Sequence, residues 1–220
     1  MDADITIRHE RPAEYRHVES IIRQAFYNLY IPGCVEHYLA HVMRSHADFI
    51  PELDFVAERN GAVIGSIMYT KASLISEDGA AVPAATFGPV CIAPEYQRRG
   101  YGTALIEYSL RRAAELGYEA IVIFGSPANY VGRGFKSCAR FGVRTENGLY
   151  PAAMLVKELR AGALCGRRWT YRQSPVMDVD TQEAERYDST LPAMKKEILA
   201  SQEEFYILSR AALPPDTADT

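Results

Sequence analysis

The residues best suited to chemistry stand in one short loop, residues 97–103, whose sequence is Gln-Arg-Arg-Gly-Tyr-Gly-Thr. The loop lies between a predicted strand and a predicted helix, and backbone N–H groups at a helix start have no helical partner and attract anions. Gly100 and Gly102 would let the main chain approach a phosphate closely, and Arg98 and Arg99 would add positive charge. The loop therefore has the composition of a cradle for a pyrophosphate.

Three other interpretations of this loop can be compared with its sequence. A dinucleotide-binding turn needs a third glycine where Leu105 stands, and no acidic ribose partner follows a second strand. A Walker loop needs a Gly-Lys-Ser/Thr ending, which is absent. An ordinary strand-to-helix turn with solvated arginines would explain Gly100-Tyr-Gly102 equally well, so the neighbouring segments must decide.

The segments on either side of the loop predict a cleft. Gly88-Pro89 lies within the preceding strand, predicted over residues 82–92, where a proline removes a ladder hydrogen bond and favours a bulge. A second strand, the unbroken apolar run over residues 120–124, is followed by Ser126-Pro-Ala-Asn-Tyr130. Two parallel strands that part at one end, with a phosphate loop beside them, would suit a long, thin cofactor.

At these positions the sequence resembles the GCN5-related N-acetyltransferase (GNAT) family. Gln97-Arg98-Arg99-Gly100-Tyr101-Gly102 matches the family's Q/R-x-x-G-x-G/A signature. In residues 129–135 a tyrosine stands five residues before the phenylalanine of a Gly-Phe pair, as in a later block of the family. The resemblance covers about residues 5–159 and is nearest to a bacterial branch with Gly-Pro-Val before the loop and Gly-x-Pro-Ala-x-Tyr after it.

The resemblance implies a fold, a co-substrate and a set of binding residues. The fold would be α/β, with a mixed central sheet splayed between its fourth and fifth strands and a C-terminal extension. Acetyl-coenzyme A (acetyl-CoA) would lie in the splay, its pyrophosphate on the loop and its pantetheine arm paired with the strand. An amine acceptor would attack its thioester directly in a ternary complex. The implied cofactor-binding residues are Val90, Cys91, Ile92, Gln97, Arg98, Arg99, Gly100, Tyr101, Gly102, Thr103 and Asn129.

The same resemblance assigns two catalytic roles. A strand N–H, that of Val90 or Cys91, would face the developing oxyanion. Tyr130 would protonate the leaving thiolate, because a phenol with a pKa near 10 keeps its proton at neutral pH; a packed helix aromatic is the alternative. Cys91 suggests a covalent mechanism, but no histidine is placed to activate it, so we interpret it as a core residue lining the cleft.

The general base has no assignment from the sequence. An alkylammonium must lose a proton before it can attack, yet residues 84–92 contain no acid. The candidates are Glu36, His37 and His41 on the second predicted helix, or a chain of water molecules in their place. His37 and His41 are four residues apart and could also begin a zinc site, but no third ligand is evident and no metal is expected.

Periodicity and turn signals predict the elements that must position these residues. Strands are predicted over residues 4–8, 53–58, 62–74, 82–92 and 120–124, helices over 13–29, 35–43 and 103–116, a short helix after residue 127, and a final hairpin around residues 146–148. This order is typical of a mixed α/β domain with one parallel crossover. We expect residues 1–160 to form the domain and residues 161–220 to form an extension packed on it.

The extension is predicted to hold an edge strand over residues 168–173, a helix over 193–211 and a frayed end from residue 213. The net charge is −6 from residue 175 onward and +2 before it. That acidity is either a solvated face or, together with Trp169 and Tyr171, a cover over the acceptor site that favours a cationic amine. The apolar residues expected to point inward are Met194, Ile198, Leu199, Phe205 and Leu208.

Composition narrows the class of protein. The 220 residues are 48% hydrophobic and 24% charged, with a net charge of −4, so they can bury a real core and have no general attraction to nucleic acid or anionic membranes. No apolar run approaches the roughly 18 residues of a membrane helix, and the N-terminus has no signal-peptide core. We expect a cytoplasmic protein whose four cysteines are reduced, and a homodimer is left open.

The sequence therefore predicts an N-acetyltransferase that acts on a primary amine of a small molecule or peptide. A non-catalytic acyl-CoA sensor or interaction module on the same fold is the main alternative, and an unrelated nucleotide-binding regulator is another. Thiol release in the presence of an amine distinguishes the enzyme from the sensor. Protection by ATP or NAD, but not by coenzyme A, would identify the regulator.

Overall fold

The computed structural model describes residues 4–214, which form a mixed sheet with helices on both faces. The strands are β1 (Thr6–His9), β2 (Phe55–Arg59), β3 (Ala62–Ser76), β4 (Ala81–Ile92), β5 (Ala120–Phe124), β6 (Lys136–Ser137), β7 (Val143–Arg144), β8 (Tyr150–Pro151), β9 (Met154–Glu158), β10 (Trp169–Arg172) and β11 (Ala212–Leu213). The helices are α1 (Tyr15–Phe26), α2 (Glu36–Met43), α3 (Tyr101–Glu115), α4 (Pro127–Tyr130), α5 (Thr181–Asp188) and α6 (Ala200–Arg210). Within this range, no helix has the combination of length and apolar character that crossing a lipid bilayer demands.

The main sheet has the strand order β1-β2-β3-β4-β5-β9-β6, with β10 paired to the far end of β3 and to β7. Its pairs are antiparallel except β4–β5 and β10–β7. The turn between β2 and β3 is Asn60-Gly61, and both residues have positive φ (51° and 80°), which matches the right-handed twist of a hairpin. The predicted hairpin and the predicted mixed α/β class are confirmed.

Helices cover both faces of the sheet because neighbouring strand residues point to opposite sides. On one face, Val56 and Met68 pack with apolar residues of α1 and α2. On the other face, Phe55 and Ile67 pack against α3, whose Leu105 is fully buried. The central strands β2, β3 and β4 are therefore held from both sides, which gives the cleft beside β4 one rigid wall.

β4 and β5 separate along most of their length, and this separation opens the cleft. Their ladder covers only two residue pairs, at Ala84 and Ala85 of β4. Beyond it, β4 carries one extra residue relative to β3 at Gly88-Pro89, whose peptide bond is cis. β5 stays paired with β9 over its whole length. The predicted bulge and the predicted splay between the fourth and fifth strands are both confirmed.

The predicted final hairpin is wrong, because its strands find other partners. The chain does turn after Thr145, whose N–H donates to the carbonyl of Leu149 (3.0 Å). β7, before the turn, pairs with β10, and β8, after it, pairs with β11 from the end of the described chain. The long strand β9 lies beside β5. Local turn chemistry was readable in the sequence, but strand pairing was decided by segments far away in the chain.

The described part of the extension contains two paired strands, β10 and β11, and two helices, α5 and α6. The strand predicted over residues 168–173 is present as β10, but it is not an edge strand, because β3 and β7 pair with it on either side. The extension also contains α5, which was not predicted. Asp180 caps that helix by accepting from the N–H groups of Gln182 and Glu183, and an aspartate followed by a glutamate three residues later is a sequence signal for such a start.

The helix predicted over residues 193–211 begins only at Ala200. The residues before it stay extended because the core takes their backbone groups: Asn28 Nδ2 donates to Lys195 C=O (2.9 Å), and Arg23 Nη1 donates to Pro192 C=O (2.8 Å). The predicted inward face is only partly present: α6 buries no residue and Ile198 is 88% exposed, but Phe205 packs against Tyr30 (4.8 Å between ring centroids). Of the predicted frayed end, Ala212–Leu213 forms β11, and residues 215–220 lie outside the described residues.

Candidate active site

A cavity of about 880 Å³ fills the splay between β4 and β5. One part of its lining comes from β4, the loop after it, and the residues that follow β5. Another part comes from α1, α2 and the segment between them, which lie on one face of the sheet. The extension contributes three residues to the rim: Met177, Thr181 and Phe205.

The β4 edge that faces this cavity carries backbone groups without a strand partner. Ala93 N–H donates to Ile64 C=O (2.7 Å), and hydrogen-bonded pairs alternate along an antiparallel ladder. Counting back along the β3–β4 register, the N–H and C=O of Cys91 point towards β3, while those of Val90 and Ile92 point into the cavity. The backbone therefore presents the N–H of Val90, and not that of Cys91, to the cleft.

The loop after β4 presents its backbone to the same cavity. Arg98 and Gly100 both have left-handed backbone conformations (φ 60° and 87°), and α3 begins directly after Gly100, so its first N–H groups lack helical partners. Gln97 Nε2 donates to Ile92 C=O (2.9 Å) and ties the loop to β4. Tyr101 buries its side chain in the core, which leaves only its backbone for a ligand.

Arg133 brings a third cation to the loop, a role that no motif in the sequence indicates. Its Nη2 donates to Thr103 Oγ1 (2.6 Å), and its Nη1 donates to the carbonyl of Asn129. The Nε atom is buried and has no hydrogen-bond partner among residues 4–214. Since the N-terminus of a helix already favours negative charge, Arg133 strengthens an existing anion site at the start of α3.

The structure brings together most of the residues predicted to bind the cofactor. The cavity is lined by Val90, Cys91, Ile92, Gln97, Arg98, Gly100, Gly102, Thr103 and Asn129. Two predicted residues lie elsewhere: Arg99 is exposed outside the cavity lining, and the Tyr101 side chain belongs to the core. The strand edge, the loop and the start of α3 therefore form one continuous surface.

Tyr130 ends α4 and enters the cavity from the β5 side. Its ring packs between Phe87 (5.8 Å between centroids) and Phe135 (5.7 Å), and Gly125 leaves it room, since a Cβ there would lie 2.6 Å from Tyr130 Cε2. Burial raises the pKa of Tyr130 above its usual value, so the phenol keeps its proton at neutral pH. Among residues 4–214, none hydrogen-bonds its hydroxyl.

The α1–α2 part of the cavity is apolar and aromatic, with one carboxylate among its described lining residues. Phe26 packs near Tyr30 (5.9 Å between ring centroids), and Tyr30 packs near Phe205 of α6 (4.8 Å). The carboxylate is that of Glu36, whose Oε2 accepts from Val35 N–H (3.0 Å). Burial raises the pKa of Glu36, and burial with the Glu36 charge raises the pKa of Tyr30.

The two histidines considered as bases lie outside the cavity lining. His37 is fully buried, with Nδ1 3.3 Å from Cys34 Sγ and Nε2 3.1 Å from Asp188 Oδ1. His41 lies 3.2 Å from Glu19 Oε1 and stacks on Tyr187 of α5. Both histidines therefore belong to the contact between α1, α2 and the extension, and of the three candidates only Glu36 reaches the cavity.

Cys91 lines the cavity without the properties of a nucleophile. Its thiol lies 3.7 Å from Ser66 Oγ, and burial raises its pKa to about 11. The thiolate, which is the reactive form, is therefore scarce at neutral pH. The interpretation of Cys91 as a small core residue agrees with this environment.

Trp169 and Tyr171 do not cover the acceptor side. Trp169, the first residue of β10, is 1% exposed, and its Nε1 donates to Leu164 C=O (3.0 Å). The Tyr171 hydroxyl lies behind the cavity wall, 2.5 Å from Thr86 Oγ1. Of the two interpretations of the extension, a cover that includes these aromatics is therefore wrong, because the pairing of β10 with β3 and β7 buries both side chains.

A family model described as the acetyltransferase (GNAT) family matches residues 23–135. That is half of the chain, and it includes β4, the loop after β4 and Tyr130. The chain belongs to this family. The resemblance inferred from the loop and from residues 129–135 is thereby confirmed, and so is the GNAT fold.

Two curated proteins are similar in sequence to this GNAT protein. The uncharacterized N-acetyltransferase YhbS of Escherichia coli is 29% identical over 161 residues, 73% of this chain and 90% of YhbS. The uncharacterized N-acetyltransferase YjhQ of Escherichia coli K12 is 28% identical over 89 residues, 40% of this chain and 49% of YjhQ. The chain therefore spans about half the length of YjhQ.

Two solved GNAT structures show how far the fold is shared. Escherichia coli YhbS in complex with CoA has a TM-score of 0.69 at 23% identity, covering 81% of this chain and 94% of that one. A GNAT family acetyltransferase from Brucella melitensis in complex with acetyl-CoA has a TM-score of 0.62 at 22% identity, covering 79% and 98%. At these identities the likeness establishes the fold.

The residues that sequence reasoning missed in this GNAT protein are mostly on the α1–α2 side. Phe26 is the last residue of α1, and Tyr30 follows it in the segment between α1 and α2, so no helical spacing links the two rings. Phe205 follows them by about 175 residues in the chain, and no local pattern links it to them. Arg133 stood inside the matched block, where only its position beside the start of α3 reveals its use.

Proposed function

We propose that this protein transfers an acetyl group from acetyl-CoA to a primary amine, by direct attack within a ternary complex. The observation that carries the proposal is the open backbone edge of β4, where Val90 and Ile92 face the cavity beside the unpaired start of α3. A pantetheine arm is an extended amide chain, and an open strand edge binds such a chain by main-chain hydrogen bonds. The two solved relatives that hold CoA or acetyl-CoA support this co-substrate.

The cofactor would be held at two places. Its pyrophosphate would lie on the N–H groups of residues 100–103, with Arg98 and Arg133 adding charge. Its pantetheine would pair with Val90 C=O and Ile92 N–H, which leaves Val90 N–H for the thioester. Gln97 keeps these two places in register by its bond to β4. This arrangement directs the thioester towards Val90 N–H and the Tyr130 hydroxyl, where the acceptor part of the cavity begins.

Acetyl transfer then needs an oxyanion donor and an acid. The amine lone pair forms the new C–N bond at the thioester carbonyl, and Val90 N–H stabilises the negative charge that develops on the oxygen. The C–S bond breaks, and Tyr130 gives its proton to the leaving sulfur. The Arg133 charge lowers the pKa of Tyr130 against the effect of burial, and therefore stabilises the phenolate left behind.

Glu36 would be the base. An alkylammonium with a pKa near 10 must lose one proton before attack, and the nitrogen loses a second proton after the C–N bond forms. One of these protons restores Tyr130 after thiol formation, and Glu36 passes the other to solvent. Since burial raises the pKa of Glu36, its carboxylate is a stronger base than an exposed glutamate.

The proposal is tested by following thiol release from acetyl-CoA as a function of amine concentration. Direct attack predicts amine-dependent thiol release, with intersecting lines when both substrates are varied, and full activity in Cys91→Ser. Parallel lines and loss of activity in Cys91→Ser would instead show a covalent intermediate on the enzyme. If acetyl-CoA raises the Tm but no amine releases thiol, the protein is an acyl-CoA-binding module and the proposal fails.

The organisation of the whole chain stays a prediction at several points. Residues 161–214 contact the rest of the chain, for instance through β10 on β3 and through Asp188 on Arg23, which supports an extension packed on the domain that ends near residue 160. The homodimer and the cytoplasmic location are predictions from the sequence. Size-exclusion chromatography with light scattering would measure the first, and fractionation of cells the second.

A further inference from the structure

We propose that the acceptor is a monoamine with an apolar or aromatic body, and that Phe205 of the extension determines this specificity. The inference rests on the proposed function and names the substrate class of the same site. It is carried by the lining of the α1–α2 part of the cavity and by the way α6 is placed across it. The lining residues that matter are Phe26, Leu29, Tyr30, Leu39, Met177 and Phe205.

The charges of this part of the cavity match one ammonium group. Glu36 is the carboxylate among its described lining residues, and the cations Arg98 and Arg133 lie at the loop, where the cofactor phosphates would neutralise them. A single ammonium can pair with Glu36 while the rest of the molecule contacts apolar surface. A second ammonium would lose its water without gaining a partner, which is costly.

Among residues 161–214, no acidic side chain lines the cavity, so the described extension offers no second site for a cation there. On α5, Asp188 pairs with Arg23 (2.7 Å), and Glu185 pairs with Lys196 (3.1 Å). Glu203 and Glu204 of α6 are exposed and outside the cavity lining. These four acidic residues are therefore held in ion pairs or exposed to solvent, and the residue that α6 contributes to the cavity is aromatic.

α6 crosses the acceptor side of the cavity between two fixed points. Near its start, Gln202 Nε2 donates to Asn28 C=O (2.9 Å); just after its end, Ala152 N–H donates to Ala211 C=O (2.8 Å). Between them, Phe205 meets Tyr30 at 4.8 Å and is 38% exposed, so part of its ring is free to contact a substrate. Its neighbour Tyr206 is 53% exposed, lies outside the cavity lining and stacks under Arg210 (3.9 Å).

The first test compares two amines of equal length, hexylamine and 1,6-diaminohexane, which differ by one terminal ammonium. We expect kcat/KM for hexylamine to exceed that for the diamine at least tenfold, and to rise about fourfold for each methylene from butylamine to hexylamine. Equal or better use of the diamine would overturn the proposal while leaving acetyl transfer intact. No thiol release with either amine, in protein that acetyl-CoA stabilises, would instead overturn the proposed function and this inference with it.

The second test compares Phe205→Ala with Tyr206→Ala, which removes the neighbouring aromatic on the same helix. Phe205→Ala should raise KM for hexylamine about tenfold, with KM for acetyl-CoA unchanged, and Phe205→Leu should restore most of the loss. Tyr206→Ala should leave both constants unchanged. If Phe205→Ala has no effect on hexylamine, or if Tyr206→Ala has the same effect, Phe205 does not determine specificity and the proposal is wrong.

Discussion

The two sides of the cleft present different groups to it: one side presents backbone groups and the other presents side chains. The side formed by β4, its loop and α3 uses backbone groups: the N–H and C=O of Val90 and Ile92, and the first N–H groups of α3. The side formed by α1, α2 and α6 uses side chains, chiefly the rings of Tyr30 and Phe205 and the carboxylate of Glu36.

In the proposed function, this difference explains why one side would bind the constant co-substrate and the other a selected amine. Backbone groups recognise any extended amide chain and any phosphate, and a change of side chain alters them little. Side chains that come from three separate segments can be exchanged without disturbing the sheet. The predictions below each affect one side, or the residue between them, and leave the other side as its control.

The largest effect is expected at Tyr130, which lies between the two sides. Tyr130→Phe removes the acid but keeps the ring packed on Phe87 and Phe135, so kcat should fall by about 10² to 10⁴. KM for acetyl-CoA should stay within about twofold, as measured by steady-state kinetics. The control is Tyr118→Phe, a half-buried tyrosine outside the cavity lining; unchanged kcat in Tyr130→Phe would remove Tyr130 from the mechanism.

Glu36→Gln should remove the proposed base from the side of the cleft formed by α1, α2 and α6, and should lower kcat about 10²-fold. In the wild type, kcat should fall as the pH falls through the raised pKa of Glu36, because protonation abolishes the base; this limb should lie above the usual glutamate value of about 4.3. The pH profile of Glu36→Gln should lack that limb. If the variant kept this limb of the pH profile, the limb would belong to a group other than Glu36. The control is Glu107→Gln, which changes an exposed glutamate on α3.

Asp188→Asn tests whether the extension supports only the side of the cleft that is formed by α1, α2 and α6. Asp188 accepts from buried Arg23 Nε and lies beside His37, so its loss should cost about 2 to 3 kcal/mol of folding stability, or roughly 4 to 12 °C in Tm. KM for the amine should rise several-fold while KM for acetyl-CoA stays constant. Glu185→Gln, which breaks an exposed pair on the same helix, should change neither; equal effects on both KM values would show that the two sides are not independent.

Arg133→Met tests the backbone side and should have the smallest effect. Removing one of three cations at the start of α3 should raise KM for acetyl-CoA about tenfold, with KM for the amine unchanged. Calorimetric titration with CoA measures the binding directly. The matched control is Arg111→Met, which removes a cation from a later turn of α3, outside the cavity lining. An equal loss of CoA affinity in both variants would show that Arg133 acts only through the overall positive charge of the protein.

The sequence by itself determined the cofactor side of the cleft. Gly100 provides the positive φ that the chain needs before α3, and Gly88-Pro89 interrupts the ladder between β3 and β4. Both effects depend on the backbone of the residue itself, so the residue type indicates them. For the same reason the β2–β3 hairpin at Asn60-Gly61 was predicted correctly. Local conformational demands leave a trace in the sequence at the place where they act.

Only the tertiary structure decided the acceptor side. It brings Glu36, and neither His37 nor His41, to the cavity, although the three lie within six residues of one another. It also brought Phe205 onto Tyr30 and paired Trp169 of β10 with Ser76 of β3, contacts between segments more than 80 residues apart. Such contacts depend on how remote surfaces fit together, and no local pattern in the chain records them.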